Sequence, residues 1–538
     1  MSDKQRNVRK SETSENTVKK KMSKKQVAGV IIFLSCLFVL LLITFSLNWI
    51  AANFGYVGFD EIIFHINMPL KGTGDNYIGS YIHKALLPAA GIVVEVVAGC
   101  VIAKLLLDSF SKTKKALIEK TEGIIRHLRI LAVLFLAVWL CASLVPAQRR
   151  FGLFDYMKNQ IQQSSFIENE YVDAGSVNIS FPEKKRNLIY ILMESAETST
   201  MDKKNGGLMD INYIPEMTEL AKEGVSFSHS DLLEGAAVAP NCGWTIAGML
   251  AESAGLPLKM YGNHRTDKID NSMDDYDSFM PGITTLGDIL EEEGYRNVFM
   301  AGSEFEFGGR LNYTTSHGHY EVLDYNEAIS RGVIPSDYNV WWGFEDEVLY
   351  RWAKEELTEL AKSDQPFNFQ LLTVDTHAQD GYVCNLCENE YSDQYANVWR
   401  CASKQVYGFV RWCQEQPFYE NTTIVIAGDH CSMDKDFYGN YTYETYNGEA
   451  TRKVYEVFLN ATVEPLKENN RKFSTLDIYP TILASMGCTI DGERLGLGVN
   501  LFSDEQTIAE KYGYEYMFTE MSKQSRFYNR ELMYPKDN

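Results

Sequence analysis

Acidic and imidazole side chains stand directly after two apolar stretches of the chain. The run TTIVIAG is followed by Asp429 and His430, and the run NLIYILM is followed by Glu194. Short β-branched runs of this kind are typical of buried parallel strands, whose carboxyl ends meet at one edge of an α/β sheet. Carboxylate oxygens and an imidazole nitrogen are good ligands for a divalent metal ion. We therefore predict that these three side chains bind one metal ion.

A hydroxyl group that could act as a nucleophile lies in the peptide PNCGWTIAGMLAESAG, residues 240–255. A turn-forming start followed by good helix formers places Thr245 at or next to a helix N-cap. Free N–H groups and the positive end of the helix dipole favour a phosphate or another oxyanion there. A hydroxyl is a weak nucleophile until a base or a metal lowers its pKa, which the predicted cluster could do.

Each of these residues also has an ordinary alternative role. A threonine at a helix start is usually only a cap, and a carboxylate at a strand end often caps the following helix. His430 could simply bond a backbone group. The joint placement of the four residues, rather than any one of them, is what favours a site.

Strand-like and helix-like segments alternate after residue 186, which predicts a mainly parallel sheet with helices on both faces. The expected strands are 187–193, VSFSHS at 225–230, YRNVFMAG at 295–302, FNFQLLTVD at 367–375, TTIVIAGD at 422–429 and YEVFLNA at 455–461. The expected helices lie near 213–223, 284–293, 344–362, 395–415 and 475–486.

Three long apolar stretches come before this region, at about 27–50, 86–107 and 128–147. Each is about 20 or more residues long, enough to cross a bilayer as a helix. The first is too long for a signal-peptide core. Glu95 lies inside the second stretch, where an ionisable residue is either functional or a carboxylate facing the helix bundle.

Basic residues indicate the orientation of these predicted spans. The sequence KKKMSKK precedes the first span and SKTKKALIEK separates the second from the third, whereas Lys71 is the only Lys or Arg in the loop 52–82. The positive-inside rule then places the N-terminus in the cytoplasm and everything after about residue 148 outside. We expect the aromatic, half-apolar segment 53–82 to lie along the outer membrane surface. The expected regions are a basic tail 1–26, a membrane region 27–147, a linker 148–186, a catalytic domain 187–505 and a C-terminal extension 506–538.

The charge of the chain restricts the kinds of partner. The chain has 51 Lys and Arg against 72 Asp and Glu, and residues 1–150 hold 20 of the former and 10 of the latter. The remaining part is therefore strongly acidic, which argues against binding to nucleic acid. An anionic substrate would need local positive charge from a metal or from a few Arg, His and Lys side chains.

Five of the ten cysteines lie close together in the sequence. A zinc knuckle is conceivable, but neither a second CxxC nor a His pair follows at the spacing of a zinc finger. Disulfides in an oxidising compartment, or free thiols, are the favoured interpretations, and the sequence does not give a connectivity. The five residues are Cys384, Cys387, Cys401, Cys413 and Cys431.

Several short motifs together resemble the alkaline-phosphatase/sulfatase superfamily. They are LMES, GWTIAGM, the DTH of 375–377, GDH, LDIYPTIL and RLGLGVNLF. More narrowly, they resemble the membrane-anchored phosphoglycerol transferases of that superfamily, which include lipoteichoic acid synthases and the enzymes that modify osmoregulated periplasmic glucans. The resemblance covers about 187–505. It implies an α/β fold in which a three-helix transmembrane region precedes a sulfatase-like α/β/α domain with a mainly parallel sheet.

The resemblance also implies roles for individual residues. Glu194, Thr245, Asp429 and His430 match the metal-binding and nucleophilic set, with Thr245 as both ligand and nucleophile. The implied metal is Mn²⁺, with Mg²⁺ or Zn²⁺ as alternatives. His377 matches a histidine that binds the substrate phosphate. Two further positions concern the head group: Arg310 matches an arginine that binds the glycerophosphate group, and Gly308 stands where lipoteichoic acid synthases carry a tryptophan.

The implied reaction transfers a glycerophosphate group outside the cytoplasmic membrane. Thr245 attacks the phosphorus of phosphatidylglycerol, diacylglycerol leaves, and a glycerophospho-threonine intermediate remains. A hydroxyl of a glucan or of a growing glycerophosphate polymer then takes the group. The membrane spans would keep the site close to its lipid donor, which raises the effective donor concentration.

Three other functions remain as alternatives. A sulfatase would need a Cys or Ser followed by Pro and Arg at fixed spacing, but Cys242 is followed by Gly-Trp-Thr. A phosphoethanolamine transferase is closer in chemistry. Such enzymes typically have five membrane spans and more histidines for a zinc site, whereas this chain has three predicted spans and nine histidines. A non-catalytic membrane scaffold with a dead site is the third, and the complete set of four site residues argues against it.

Overall fold

The structure is a computed structural model that describes most of the chain. The described residues are 24–54, 57–67, 75–110, 115–259, 278–439, 445–446, 449–450 and 452–535. They divide into two compact units. One, called the helical unit here, consists of Met1–Ser46 and Ile82–Ser143; the other, the α/β unit, consists of Leu47–Tyr81 and Leu144–Asn538.

Three helices of the described chain are long and apolar enough to cross a membrane, as predicted. They are Val27–Asn53, Tyr77–Ala103 and Ile130–Phe151. The second begins earlier than expected because the helical residues Asp75–Tyr81 and the π-helical segment Ile82–Leu86 come directly before Leu87 in the chain. The N-terminal helices are Lys24–Asn53 (α1), Phe59–Asn67 (α2), Asp75–Tyr81 (α3), Leu87–Phe110 (α4) and Lys115–Phe151 (α5).

The helical unit has a small apolar core of its own. Leu37 and Leu41 of α1 pack with Ala89 of α4 in a buried cluster. Beside it, Trp139 Nε1 donates a hydrogen bond to Thr44 Oγ1 over 3.2 Å. Glu95 of α4 has an exposed side chain, so the described packing of this unit does not bury it.

A six-stranded sheet forms the centre of the α/β unit. Its strand order is β11-β7-β2-β6-β4-β5, in which β11 alone is antiparallel to its neighbour and the other pairs are parallel. The mainly parallel sheet predicted from the sequence is therefore confirmed. The strands are Ile179–Ser180 (β1), Asn187–Met193 (β2), Ala236–Ala237 (β3), Arg296–Ala301 (β4), Glu321–Leu323 (β5), Phe367–Leu372 (β6), Thr422–Gly428 (β7), Thr445–Tyr446 (β8), Glu449–Ala450 (β9), Lys453–Val454 (β10), Glu456–Leu459 (β11), Thr489–Ile490 (β12), Arg494–Leu495 (β13) and Gly498–Val499 (β14).

Apolar side chains cover both faces of this sheet. Along β2, Tyr190 belongs to one buried cluster and its neighbours Ile189 and Ile191 belong to another, because successive side chains of a strand point to opposite faces. This explains why the strand reads as a continuous apolar run. The helices of the unit after α5 are Leu153–Ile161 (α6), Phe166–Glu170 (α7), Pro215–Glu223 (α8), Thr245–Ala254 (α9), Leu286–Glu292 (α10), Arg310–Ser316 (α11), Tyr325–Ser330 (α12), Asp346–Leu360 (α13), Gln394–Gln414 (α14), Lys435–Tyr438 (α15), Ile478–Ser485 (α16), Ile508–Tyr512 (α17) and Tyr514–Ser522 (α18).

The segment 225–230 differs from the expectation of a strand. Only Val225 pairs, in a single bridge with Phe458. The side-chain hydroxyls of Ser226 and Ser228 bond to nearby backbone carbonyls, which is how serine commonly competes with a regular ladder. Residues 148–186, expected as a linker, contain α6, α7 and β1, and Phe166 is buried in the core of the unit.

Candidate active site

Strand register brings two of the predicted metal ligands together. Strands β2 and β7 are parallel neighbours, and their last pair is Met193 with Gly428. Glu194 and Asp429 are the next residues of their strands, so both leave the sheet side by side. An added Cβ on Gly428 would lie 1.8 Å from the carbonyl oxygen of Ala196, so only glycine permits this close approach.

The three predicted metal ligands form one tight, buried cluster. Ligand atoms of Glu194, Asp429 and His430 all lie within 4.8 Å of one another. His430 Nε2 is 3.5 Å from Glu194 Oε1 and 3.3 Å from Asp429 Oδ2. All three side chains are buried. Two carboxylates this close and this deep need a compensating positive charge.

Asp429 and His430 each use one side-chain atom for hydrogen bonds to the backbone and keep the other side-chain atom available for a metal. Asp429 Oδ1 accepts bonds from the backbone N–H groups of Ser195 and His430, both at 2.9 Å. Asp429 Oδ2 is buried and has no hydrogen-bond partner among the described residues. His430 Nδ1 donates to the carbonyl of Cys431 over 3.0 Å, which leaves Nε2 with its lone pair for a cation. A carboxylate oxygen without a hydrogen-bond partner, 3.3 Å from an imidazole nitrogen, fits a bound divalent metal.

The pKa values reflect the same crowding of charge. Burial and the negative charge of Glu194 raise the pKa of Asp429 above its usual range. Burial alone would lower the pKa of His430, but the charges of Asp429 and Glu194 outweigh it and raise that pKa. The cluster therefore holds positive charge, in the form of a proton or a cation.

Thr245 is the first residue of α9, and Trp244 is the N-cap, as the sequence predicted. Its Oγ1 lies 3.5 Å from Glu194 Oε2. The close approach of α9 to the end of β7 depends on Gly248, where an added Cβ would lie 2.0 Å from the carbonyl oxygen of Asp429. The glycine of GWTIAGM thus has a physical reason to stand one turn after the threonine.

The histidine of the DTH motif lies at the more open side of the cluster. His377 is half-buried, as is Thr245, whereas the three acidic and imidazole ligands are buried. His377 Nδ1 donates to the carbonyl of Ala378 over 2.7 Å, so Nε2 is the nitrogen left for a ligand. Burial lowers the pKa of His377, although the charge of Glu194 acts in the opposite direction.

Arg310 begins α11 and is buried. Its Nη2 donates to the carbonyl of Glu304 over 2.7 Å and its Nε to that of Phe307 over 3.1 Å. Burial lowers its pKa to about 10, and the charges of Glu194 and Asp324 oppose that change, so it remains a cation at neutral pH. It is a fixed positive charge whose field reaches the acidic cluster.

Aromatic rings from two separate loops lie beside these groups. Trp342 packs against the ring of His377, with centroids 4.9 Å apart, and against Phe307, with centroids 5.4 Å apart. Gly308 itself adopts φ 67°, a left-handed conformation that glycine accepts easily. Phe307 and Trp342 therefore supply an aromatic surface beside Arg310 and His377, and no sequence signal indicated that Trp342 would be part of it.

Helix α2 also reaches the candidate site, which the sequence did not predict. The ring of Phe64 packs on Trp244, with centroids 5.3 Å apart, and Asn241 donates a hydrogen bond to Asp60. Glu61 is buried, and its charge interacts with that of His430. The pattern FDEIIFHIN is amphipathic, but periodicity does not tell whether its apolar face meets lipid or protein.

Comparisons with known proteins agree with one family. The family model described as Sulfatase matches residues 186–488. Phosphoglycerol transferase I of Xanthomonas campestris pv. campestris is 31% identical over 331 residues, which cover 60% of this chain and 43% of that protein. Phosphoglycerol transferase I of Shigella boydii is 28% identical over 460 residues, which cover 83% of this chain and 53% of that protein. The chain thus spans about half the length of the curated relatives it matches.

The solved structures that align with this chain are more distant in sequence. A protein in the alkaline phosphatase superfamily from Vibrio parahaemolyticus aligns with 20% identity and a TM-score of 0.49, covering 66% of this chain and 79% of that one. The lipoteichoic acid synthase LtaP from Listeria monocytogenes aligns with 17% identity and a TM-score of 0.46, covering 63% and 80%.

Proposed function

The chain belongs to the sulfatase family, and from this premise we propose that it is a membrane-bound, metal-dependent phosphoglycerol transferase. Family membership confirms the resemblance drawn from the motifs. The observation that carries the proposal is the position of Thr245 Oγ1, 3.5 Å from a carboxylate of the buried cluster whose Asp429 oxygen lacks a partner. The relatives named phosphoglycerol transferase I support the identity of the transferred group.

The proposed metal is Mn²⁺, with Mg²⁺ or Zn²⁺ as alternatives. Glu194, Asp429 and His430 would hold it together with the Thr245 hydroxyl, and this oxygen-rich set with one imidazole suits a hard divalent ion. When bound, the ion lowers the pKa of a nearby hydroxyl and offsets negative charge on phosphate oxygens.

In the first step, Thr245 Oγ1 attacks the phosphorus of phosphatidylglycerol. The Thr245 Oγ1–phosphorus bond forms, the bond from phosphorus to the diacylglycerol oxygen breaks, and diacylglycerol leaves as its alcohol. The hydroxyl proton of Thr245 passes to Glu194 Oε2, which lies 3.5 Å from Thr245 Oγ1, and from there to the leaving diacylglycerol oxygen. The free N–H groups at the start of α9, His377 Nε2 and the Arg310 cation bind the phosphate and glycerol oxygens, because phosphoryl transfer depends on positioning and charge stabilisation.

In the second step, an acceptor hydroxyl attacks the phosphorus of the phosphothreonine, the bond from phosphorus to Thr245 Oγ1 breaks, and the acceptor's proton returns to Thr245 Oγ1. We propose a glucan or a glycerophosphate polymer as the acceptor. Thr245 and His377 are half-buried while the metal ligands are buried, which supports entry of both substrates from the Thr245 side. The net negative charge of the residues after 150 argues against nucleic acid as a partner, because nucleic acid is also negatively charged.

We propose that the protein is a multi-pass protein of the cytoplasmic membrane. Its N-terminus is cytoplasmic and its catalytic domain, 187–505, lies outside, with 1–26, 27–147, 148–186 and 506–538 as tail, spans, linker and extension. The charge asymmetry between the loops supports this orientation. The contact of Phe64 in α2 with Trp244, the residue before Thr245, supports a donor that comes from the membrane.

The alternatives predict different site chemistry. A sulfatase would use a modified residue at the site, but the Cys242 side chain is buried and contacts the carbonyl of Pro240 at 3.7 Å. A phosphoethanolamine transferase remains the second candidate, because the site residues would suit either head group. A scaffold would not need Thr245 at all.

Labelled donors can distinguish these functions. We would incubate the purified chain with vesicles containing phosphatidylglycerol labelled in its terminal glycerol, with Mn²⁺ and without acceptor. The proposal expects release of diacylglycerol and label bound to Thr245, and neither in Thr245→Ala. Label carried only from phosphatidylethanolamine would favour the second candidate, and an unchanged cellular role of Thr245→Ala would favour a scaffold.

A further inference from the structure

Three cysteines outside the candidate active site converge on one point. Cys384 Sγ lies 3.7 Å from Cys387 Sγ and 3.7 Å from Cys401 Sγ. All three sulfurs lie within 4.8 Å of one another. Cys384 and Cys401 are buried and Cys387 is half-buried, and all three are free thiols. We call this group the thiol cluster.

The spacing of the thiol cluster matches a tetrahedral metal site. A zinc–sulfur bond is about 2.3 Å long, so two thiolates on one tetrahedral ion lie about 3.75 Å apart. The distances from Cys384 Sγ to the other two sulfurs, both 3.7 Å, agree with this value. Three thiols also form an odd set, so pairing any two of them as a disulfide would leave the third without a partner in a mostly buried position.

A side-chain amide donates hydrogen bonds to two of the sulfurs. Gln405 Nε2 donates to Cys401 Sγ over 3.4 Å and to Cys384 Sγ over 3.7 Å. Both of these sulfurs also lie within hydrogen-bonding distance of each other, at 3.7 Å. Donors of this kind stabilise a thiolate, and such surrounding bonds are the usual support of a metal ligand.

The local chain geometry supports the same interpretation. The sequence CNLC closes a tight turn, in which the N–H of Cys387 donates to the carbonyl of Cys384 over 3.1 Å. The third cysteine, Cys401, comes from helix α14, which is fixed against the sheet. The turn positions two cysteines and the helix positions the third, so together they can hold three sulfur ligands around one ion.

We propose that Cys384, Cys387 and Cys401 bind one thiophilic divalent ion, Zn²⁺, as thiolates. Binding releases the three thiol protons and forms three sulfur–zinc bonds. The fourth position of the tetrahedron, on the side of the half-buried Cys387, takes a water or a small anion. The ion fixes the loop 373–393, which begins with the DTH motif of His377, to α14. This site is independent of the candidate active site and of the proposed function.

Metal analysis of the full-length chain tests this site. The chain would be purified in detergent with a thiol reductant, supplied with Zn²⁺, desalted, and its zinc content measured in the Asp429→Asn background so that the strand-end cluster adds none. We expect one zinc per chain. The expected zinc is lost in Cys384→Ser and in Cys401→Ser, and is kept in Cys413→Ser, a matched change of a buried cysteine elsewhere on α14.

Cobalt provides a second readout that does not depend on metal content alone. Co²⁺ loaded into the chain should give a thiolate charge-transfer absorption in the near ultraviolet, and this absorption should vanish in Cys384→Ser while it survives in Cys413→Ser. Circular dichroism of each variant would show that the helices are intact. An unchanged zinc content in Cys384→Ser, or a disulfide between two of the three cysteines in peptide mapping of the native chain, would overturn the proposal.

Discussion

Two groups of converging ligand atoms, one at the strand ends and one in the thiol cluster, differ in both chemistry and scaffold. Glu194, Asp429 and His430 offer oxygen and nitrogen atoms and follow adjacent strands with a fixed register. Cys384 and Cys387 offer sulfur atoms from a loop, and Cys401 offers the third sulfur atom from helix α14. Hard and soft donors favour different ions.

The comparison also separates the roles of the two sites. The strand-end cluster has a hydroxyl within 3.5 Å and open, half-buried neighbours, so a substrate can reach it. The thiol cluster has no hydroxyl nucleophile among its described contacts and accepts hydrogen bonds from Gln405. Changes at the first cluster should therefore abolish transfer, and changes at the second should lower stability.

The largest effect should come from the nucleophile. We expect Thr245→Ala to lower the transfer rate by roughly four to six orders of magnitude, as the loss of other catalytic nucleophiles does. The measurement is diacylglycerol release from phosphatidylglycerol vesicles. Thr315→Ala, a change of an exposed threonine whose hydroxyl bonds the carbonyls of Leu311 and Asn312 in its own helix, is the control and should keep full activity. Appreciable transfer by Thr245→Ala would remove the proposed covalent step.

The second effect links the metal to stability. Mn²⁺ at a hundred times its dissociation constant should raise the free energy of unfolding by about 2.7 kcal/mol. In Asp429→Asn this rise should disappear, while the metal-free variant should be at least as stable as the metal-free wild type. The reason is that burial and Glu194 raise the pKa of Asp429, so its charge is unfavourable without a cation.

Thermal unfolding with and without Mn²⁺ measures this link. The asparagine keeps an oxygen that can accept the two backbone N–H bonds made to Asp429 Oδ1, so the local backbone should not change. If Mn²⁺ raised the free energy of unfolding equally in wild type and Asp429→Asn, the ion would have to bind elsewhere.

A third change tests how closely the helix must approach the strand end. Gly248→Ala would place a Cβ 2.0 Å from the carbonyl oxygen of Asp429 and so push Thr245 outward. A displacement of about 1 Å can cost roughly a hundredfold in rate. Gly243→Ala is the matched control in the same motif, because an added Cβ there meets no atom within 4 Å. Similar rates for the two variants would contradict the proposed positioning.

A fourth change tests the fixed cation. Arg310→Lys should raise KM for the lipid donor roughly tenfold, the equivalent of losing about 1.5 kcal/mol of charge-assisted hydrogen bonding. Lysine keeps the charge but lacks the planar group that bonds the carbonyls of Glu304 and Phe307. Arg296→Lys, at an exposed ion pair, should leave KM unchanged. A fall in kcat with constant KM would instead assign Arg310 to the transition state.

The smallest effect on transfer should come from the thiol cluster. We expect Cys401→Ser to keep the transfer rate at saturating donor within about twofold but to lower the free energy of unfolding by roughly 1–3 kcal/mol. A zinc chelator should destabilise the wild type and leave Cys401→Ser unchanged. If Cys401→Ser lost transfer as completely as Thr245→Ala, the separation between the two clusters would fail.

Much of the candidate site was visible in the sequence because its signals are local. Two apolar runs indicate directly where strands end: one is followed by Asp429 and His430, and the other is followed by Glu194. Three apolar stretches indicate helices that are long enough to span a membrane. None of these signals needs a distant residue to be recognised. The close backbone approaches at Gly248 and Gly428, by contrast, became apparent only in the structure.

Tertiary structure decided which distant residues meet. The register of β2 with β7 sets Glu194 beside Asp429, and the packing of α9 on the end of β7 brings Thr245 to Glu194. The same is true of Phe64 on Trp244, because an amphipathic helix has the same periodicity whether it covers lipid or protein. Spacing in the sequence fixes neighbours along one element, whereas contacts across 50 or more residues depend on how whole elements pack.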